Sequence, residues 1–228
     1  KGRWDLHIRI DPWSQAPENG LRSKRGVIAT VSSAKNFEAE FEKIRETEVI
    51  GRKLEHFNSI DSTNGRAKEL ALEGAKEGTV VVADEQRKGR GRMGRDWYSP
   101  KGEGLWFSIV LYPTQSMAEV ASLTILVAKA IKEFLSEQYR VTAKIKQPND
   151  LLVNGKKICG ILAEAQSQAG ADEVDFIIVG VGLNISTEFP KELRDHATAL
   201  AQEVEKKLPP RPVILSKLLQ AIEERYLI

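Results

Sequence analysis

Residues 150–185 read DLLVNGKKICGILAEAQSQAGADEVDFIIVGVGLNI, and this stretch constrains the fold more than any other. Asn154-Gly155 lies between two β-rich runs, LLV and KKICGILAEA. That dipeptide is the signature of a type I′ turn, in which both central residues need positive φ. The two runs therefore pair antiparallel. A third, largely apolar run at 175–184 follows, so strands return through hairpins rather than through the crossover helices of a regular βαβ winding.

The rest of the chain fits the same plan. Strands are expected at 52–57, 79–84, 104–112 and 140–146, each rich in β-branched or aromatic residues or alternating in polarity, with Pro148 stopping the last. Ser62 or Thr63 can cap a helix through about 75, with Ala67, Leu70 and Ala71 on one face. Ser116 and Glu119 form a capping box before a long helix carrying Val120, Leu123, Val127, Ile131 and Phe134. Pro209, Pro210 and Pro212 separate two C-terminal helices, the second using Ile214, Leu218, Ile222 and Tyr226. Residues 1–35 read as irregular with one short strand at 26–31, and Asn36 as the cap of a helix carrying Phe37, Phe41 and Ile44 and ending near Gly51. The expected class is α+β: a mixed, mainly antiparallel sheet flanked by helices.

With 228 residues the chain has room for one large domain. Lys and Arg number 34 against 32 Asp and Glu, and 41% of residues are hydrophobic, so neither a disordered polyelectrolyte nor a membrane protein is indicated. The longest apolar stretches, 105–111 and 176–185, fall short of the roughly 20 residues a spanning helix needs. KGRWDLHIRI lacks the pattern of a secretory signal and Cys159 stands alone, which points to a reducing cytoplasm. His7, His56 and His196 are far apart, so no metal-ligand spacing or Cys/His nucleophile pair emerges.

The charge is not evenly spread. RKGRGRMGRDWYSPK at 87–101 carries six basic residues against Asp96, a local net of +5. Arg among glycines suits an anion, because glycine lets backbone approach closely and Arg offers planar, bidentate donors. A solvated linker or a nucleic-acid patch is the alternative. GRGRMG satisfies the dinucleotide fingerprint in letters, but WYSPKGEG precludes the helix that must follow and the region near Ile109 has no acidic residue. P-loop and kinase motifs are absent.

Four separated motifs then carry a resemblance. SIDSTN at 59–64, GRGRMGRDWYSPKGEGLWFS at 89–108, KQPNDLLVNGKKICGILAE at 146–164 and GVGLNI at 180–185 resemble biotin protein ligases in order and spacing. The resemblance implies a fold like that of class II aminoacyl-tRNA synthetases and lipoate ligases. It also implies a two-step reaction in which biotin and ATP with Mg²⁺ form biotinyl-5′-AMP, and biotin then passes to a lysine of a biotin carboxyl carrier protein. Such chemistry brings a carboxylate to a phosphate, and two unit charges 4 Å apart repel by about 4 kcal/mol at an effective dielectric near 20, so cations are needed. An acceptor lysine of pKa about 10.4 is mostly protonated at pH 7, a deficit of about 4.6 kcal/mol that a base would offset.

The resemblance implies roles position by position. Ser62, Thr63 and Asn64 would bond the ureido ring and tail of biotin, with Gln86 a further biotin contact. Gly89, Arg90, Gly91 and Arg92 would close over biotin and the adenylate phosphate, and Arg95 would help with the ATP phosphates. Trp97 would meet the adenine, or pack in the core. Lys157 would contact both the biotin carboxyl group and the α-phosphate. Gly160 and Gly180 would let backbone approach the ligand, and Asn149 and Asn184 would be polar contacts to ATP or its metal. Asp150 would orient or deprotonate the acceptor amine, or direct a metal. Lys146 and Cys159 receive no catalytic role.

The sequence also departs from the family pattern. Gln147 stands where a Trp is usual and Met93 where a second Arg is common, removing one phosphate-side cation. Residues 1–50 read as an N-terminal extension without a complete winged helix-turn-helix, so no operator binding is expected, and 51–228 as the catalytic domain. The family's small C-terminal β domain is expected to be missing, and both ends read as those of a fragment or a divergent chain. Partners are expected to be biotin, ATP and the carrier domain, without membrane or specific DNA, while an edge strand could support a homodimer. The rival readings are a lipoate or octanoate attachment enzyme on the same fold, and a non-enzymatic nucleic-acid-binding module using the 87–101 loop.

Overall fold

A computed structural model describes residues 33–112, 120–167 and 174–227. The strand expected at 26–31 and the capping box Ser116/Glu119 lie outside them. The elements are α1 (Ser33–Ile44), β1 (Leu54–Phe57), α2 (Thr63–Leu72), β2 (Val80–Ala83), β3 (Gly104–Leu111), α3 (Val120–Tyr139), β4 (Lys144–Lys146), β5 (Asp150–Val153), β6 (Lys156–Gln166), β7 (Phe176–Asn184), α4 (Leu200–Glu203) and α5 (Arg211–Tyr226). The strands form one sheet in the order β1-β2-β3-β7-β6-β5-β4. Only β1 and β2 are parallel; the other pairs are antiparallel, as the hairpin logic requires. Asn154 and Gly155 have φ of 51° and 83°, the two positive values the type I′ turn needs. No helix among the described residues is long and apolar enough to cross a membrane.

Local differences from the expected boundaries are small and physical. Helix α1 begins at Ser33, so Asn36 is inside it rather than capping it. In the run expected to be a strand at 140–146, only Lys144–Lys146 pairs, because Arg140 turns the chain with φ 59°. Ser62, in extended conformation at φ −156°, caps α2 by accepting from the Gly65 amide at 3.4 Å.

Alternation along the central strands sorts the core into two sides. Val80 and Val82 of β2, Phe107, Ile109 and Leu111 of β3, and Ile177, Val179, Val181 and Leu183 of β7 join the core with the helices α1, α3 and α5. Val81, Val110, Phe176 and Ile178 face α2 through Ala67, Leu70 and Ala71. Helix α2 is short, so the same side of the sheet beyond its N-terminus is left for a cleft.

Helix α1 packs into this core through Phe37 and Phe41, and Ile50 beyond it is buried there as well. Glu223 of α5, 7% exposed, ties it down by accepting from the amides of Glu48, Val49 and Ile50 at 2.6, 2.9 and 2.5 Å. Glu223→Ala removes the acceptor of three amides, one of them buried, and is expected to cost about 3 kcal/mol, or about 6–12 °C of melting temperature, read by calorimetry.

Asp84 closes the end of β2. Its Oδ1 lies 2.9 Å from His56 Nε2 and 2.6 Å from Arg211 Nη2. Burial opposes its charge, but hydrogen bonds from His56 and Arg211 outweigh burial and hold the carboxyl below its ordinary range. A depressed carboxyl contributes stability above its unfolded value and loses it as pH falls through the folded one. Asp84→Asn is therefore expected to lower the melting temperature at neutral pH, with the gap to the parent protein closing in acid below about pH 4.

Candidate active site

A cleft of about 720 Å³ opens on the α2 side of the sheet. Its floor is set by strand register. One row across the sheet reads Trp106, Gly182, Gly160, and the next reads Ser108, Gly180, Leu162. The glycines leave room for side chains lying flat on the strands. A Cβ on Gly182 would sit 2.3 Å from Trp97 Nε1, on Gly160 2.9 Å from Trp97 Cζ3, and on Gly180 2.1 Å from Asn64 Oδ1.

The end near α2 is polar and nearly uncharged. Gln86 Oε1 accepts from the Thr63 amide at 2.9 Å and its hydroxyl at 3.1 Å, while Gln86 Nε2 donates to Ser99 Oγ at 3.1 Å. Ser108 Oγ lies 2.8 Å from Thr63 Oγ1 and donates to Asn64 Oδ1 at 2.6 Å. Asn64 Nδ2 in turn donates to Glu164 Oε2 at 2.6 Å. The N-terminus of α2 thus brings Ser62, Thr63 and Asn64 to one end of the cleft.

The Arg/Gly loop forms the lid side. It folds back on itself through an Arg90–Asp96 bridge, with Gly91 N donating to Arg95 O at 2.6 Å and Trp97 N to Gly89 O at 2.9 Å. Met93, 86% exposed with φ 58°, and Gly94, φ 73°, make the tip. The six cations do not act as one patch. Asp61 holds Arg87 Nη2 at 2.7 Å and Lys88 at 3.0 Å on the outside, and these bonds hold its carboxyl below the ordinary range. Arg90, Arg92 and Arg95 border the cleft, and Arg92 Nη1 donates to Asn149 Oδ1 at 3.3 Å.

Lys157 reaches the site because β6 carries a bulge. Leu151 pairs with Cys159 but Leu152 with Lys157, so Ile158 is an extra residue, and Ile158 and Cys159 are both buried in the core. Without that insertion, strict alternation from Gly160 would send Lys157 to the opposite face. Its Nζ lies 2.8 Å from Asp150 Oδ1 and 4.8 Å above the Trp97 ring. Burial pushes the Cys159 thiol well up, which suits a packing role.

Of the residues singled out from sequence, Ser62, Thr63, Asn64, Gln86, Arg90, Gly91, Arg92, Arg95, Trp97, Asn149, Asp150, Lys157, Gly160 and Gly180 all line this cleft. Two stand behind it. A Cβ on Gly89 would meet Trp97 O at 2.5 Å, so Gly89 permits the loop's own pairing. Asn184 is 1% exposed, and its Nδ2 donates to the carbonyls of Thr198 at 3.0 Å and Lys157 at 3.3 Å, bracing the strand that carries Lys157. Trp97 is 8% exposed and packs edge-on against Trp106 at 6.4 Å, so most of the ring is wall.

Sequence reading gave no site role to Ser108, Glu164, Asp61, Lys146 or His196. Lys146 and His196 line the cleft. Ser108 carried a signal as the lone polar residue in an apolar run, LWFSIVL.

Taken chemically, one end of the cleft offers neutral donors and acceptors to a small polar ring, and the other gathers Lys157 and three arginines where anions can meet. The model of the biotin/lipoate A/B protein ligase family matches residues 56–184. The chain is 39% identical over 206 residues to the bifunctional ligase/repressor BirA of Bacillus subtilis, covering 89% of this chain and 62% of that protein. It is 32% identical over 182 residues to the biotin–[acetyl-CoA-carboxylase] ligase of Mycobacterium tuberculosis, covering 76% and 64%. Among solved structures, the biotin protein ligase of Aquifex aeolicus in complex with biotin and ATP superposes with a TM-score of 0.65 at 35% identity, covering 76% of this chain and 70% of that one. The chain therefore spans somewhat under two thirds of the length of these two sequence relatives.

Proposed function

The chain belongs to the biotin/lipoate A/B protein ligase family, and we propose that it joins biotin to a lysine of a biotin carboxyl carrier protein through biotinyl-5′-AMP. The polar end of the cleft is the observation that carries the choice of biotin. A ureido ring presents two N–H groups and a carbonyl, which Ser62, Thr63, Asn64 and Gln86 can satisfy. A dithiolane or a plain acyl chain offers no matching donors and acceptors to this polar end, which favours the ureido ring over apolar analogues.

In the first step a biotin carboxylate oxygen attacks the α-phosphorus of ATP and pyrophosphate leaves. Lys157, Arg90, Arg92 and Arg95 hold the two anions together and stabilise the charge that gathers on the α-phosphate. Asn149, bonded to Arg92 and donating to Ile161 O at 3.0 Å, fixes Arg92 against the cleft. In the second step the acceptor amine attacks the acyl carbon, AMP leaves and one proton is lost. Asp150, held by Lys157 beside the acyl group, orients that amine. Magnesium would enter with the triphosphate. Among the described residues no group of three or more His, Cys, Asp or Glu side chains gathers to cage a metal, whereas the oxygens of Asn149 and Asp150 border the cleft and suit a hard cation. Bound there, it would neutralise triphosphate charge.

Biotin-dependent ATP–pyrophosphate exchange, with lipoate and octanoate as competitors, tests the reading. Exchange with biotin alone supports it, and exchange with lipoate alone assigns the cleft to the sister activity. If neither exchanges and RNA or DNA binds at physiological salt, the loop serves nucleic acid instead. Biotinyl-AMP is also expected to slow tryptic cleavage after Arg90, Arg92 and Arg95, because the clustered cations repel until an anion arrives. Equal nicking with and without ligand, followed by mass spectrometry, would count against that closure.

A further inference from the structure

Glu164 does not line the cleft, yet it ends a continuous, partly buried chain of hydrogen bonds that does. The chain runs from Glu164 to Asn64 at 2.6 Å, Asn64 to Ser108 at 2.6 Å, Ser108 to Thr63 at 2.8 Å, Thr63 to Gln86 at 3.1 Å, Gln86 to Ser99 at 3.1 Å and Ser99 to Trp97 O at 3.0 Å. It joins β6, the N-terminus of α2, β3 and the base of the Arg/Gly loop. Most of its members can point either way, since a hydroxyl donates or accepts and an amide can rotate by half a turn. An ionised carboxylate only accepts.

Resting on the functional reading above, we infer that Glu164 is a positioning residue for the biotin end, fixing the direction in which the Asn64 and Ser108 hydrogen bonds point. The carboxylate accepts a hydrogen bond from Asn64 Nδ2, so Asn64 Oδ1 must face Ser108, and the Ser108 hydroxyl is committed to donating to it. Thr63 Oγ1 is then left to donate to Gln86 or to Ser108, while the directions at Asn64 and Ser108 are single-valued. Gly180 supports the same arrangement from below, because Asn64 lies where its Cβ would be. Register places Glu164 beside Ile178, one row beyond Gly180, which is why its side chain meets Asn64 and not the ligand.

The test is a four-member cycle read by biotin binding calorimetry, steady-state kinetics and melting curves. Glu164→Gln keeps an acceptor and is expected to weaken biotin about threefold, whereas Glu164→Ala weakens it about tenfold or more. Both should raise the KM for biotin while kcat and the KM for ATP stay within about twofold. Asn64→Asp opposes two carboxylates and should bind worst. Asn64→Asp combined with Glu164→Gln reverses the donor and acceptor and should recover at least about tenfold over Asn64→Asp alone. Unchanged biotin affinity in Glu164→Ala, or losses that track melting temperature and fall equally on biotin and ATP, would overturn the inference. Failure of the parent chain to bind biotin would instead overturn the functional reading beneath it.

Discussion

Lys157→Ala is expected to lower biotin-dependent pyrophosphate exchange by about a hundred- to a thousandfold, the range seen when one fixed donor to a developing anion is removed. Two effects act together. On the proposed reading the cleft loses a cation where carboxylate and phosphate would meet, and Asp150, 2.8 Å from Nζ, is left to add negative charge to a site that would have to accept two anions. Lys157→Ala with Asp150→Asn is therefore expected to recover part of the loss. Some stability should be lost as well, because the side chains of Lys157 and Asp150 are only 16% and 24% exposed and the lone Asp150 carboxylate is left uncompensated. Supplied with synthetic biotinyl-AMP, the variant should still transfer biotin to a carrier domain, since the step that needs the lysine most has been bypassed. Turnover within about threefold of the parent chain in the exchange assay would remove Lys157 from the mechanism.

Gly180→Ala is the second large effect. The new methyl group would lie 2.1 Å from Asn64 Oδ1, 2.9 Å from its Cγ and 3.0 Å from its Nδ2, contacts that must be relieved by movement. Asn64 has no slack to give, being held by Ser108 on one side and Glu164 on the other. Overpacking of this kind costs about 1–3 kcal/mol of stability. Biotin affinity is expected to fall about a hundredfold, as the polar end loses its arrangement. Gly180→Ala with Asn64→Ala should regain the melting temperature but not the affinity. If calorimetry finds biotin binding intact in Gly180→Ala, the polar end is not where the ring sits.

Much of this site was legible from one dimension, for reasons that can be named. Asn154-Gly155 declared its hairpin because few residues accept two consecutive positive φ values. Ser62, Thr63 and Asn64 announced a helix start, and a helix start brings its first residues together whatever surrounds it. Glycine and arginine interleaved at 89–95 suited an anion, though letters alone also matched a dinucleotide motif that the following residues excluded. Other features could not be read, since they depend on partners remote in sequence. That Asp61 draws Arg87 and Lys88 away from the cleft requires knowing that a turn 26 residues earlier lies alongside the loop. Gln147 and Met93 depart from the family pattern, and Met93 stands at the exposed tip of the loop. Nothing in the structure explains Gln147.

The sequence by itself determined the antiparallel plan, the helix start that carries the polar trio, and the cationic loop, because turns, caps and charge clusters are settled by neighbours a few residues apart. The folded sheet alone decided which groups share the cleft. Register across three strands brings Ser108, Gly180 and Glu164 around Asn64, and a single extra residue in β6 turns Lys157 to the cleft face. A side chain's face on a strand changes with every one-residue slip, and pairing register is a property of the whole sheet rather than of any segment in it.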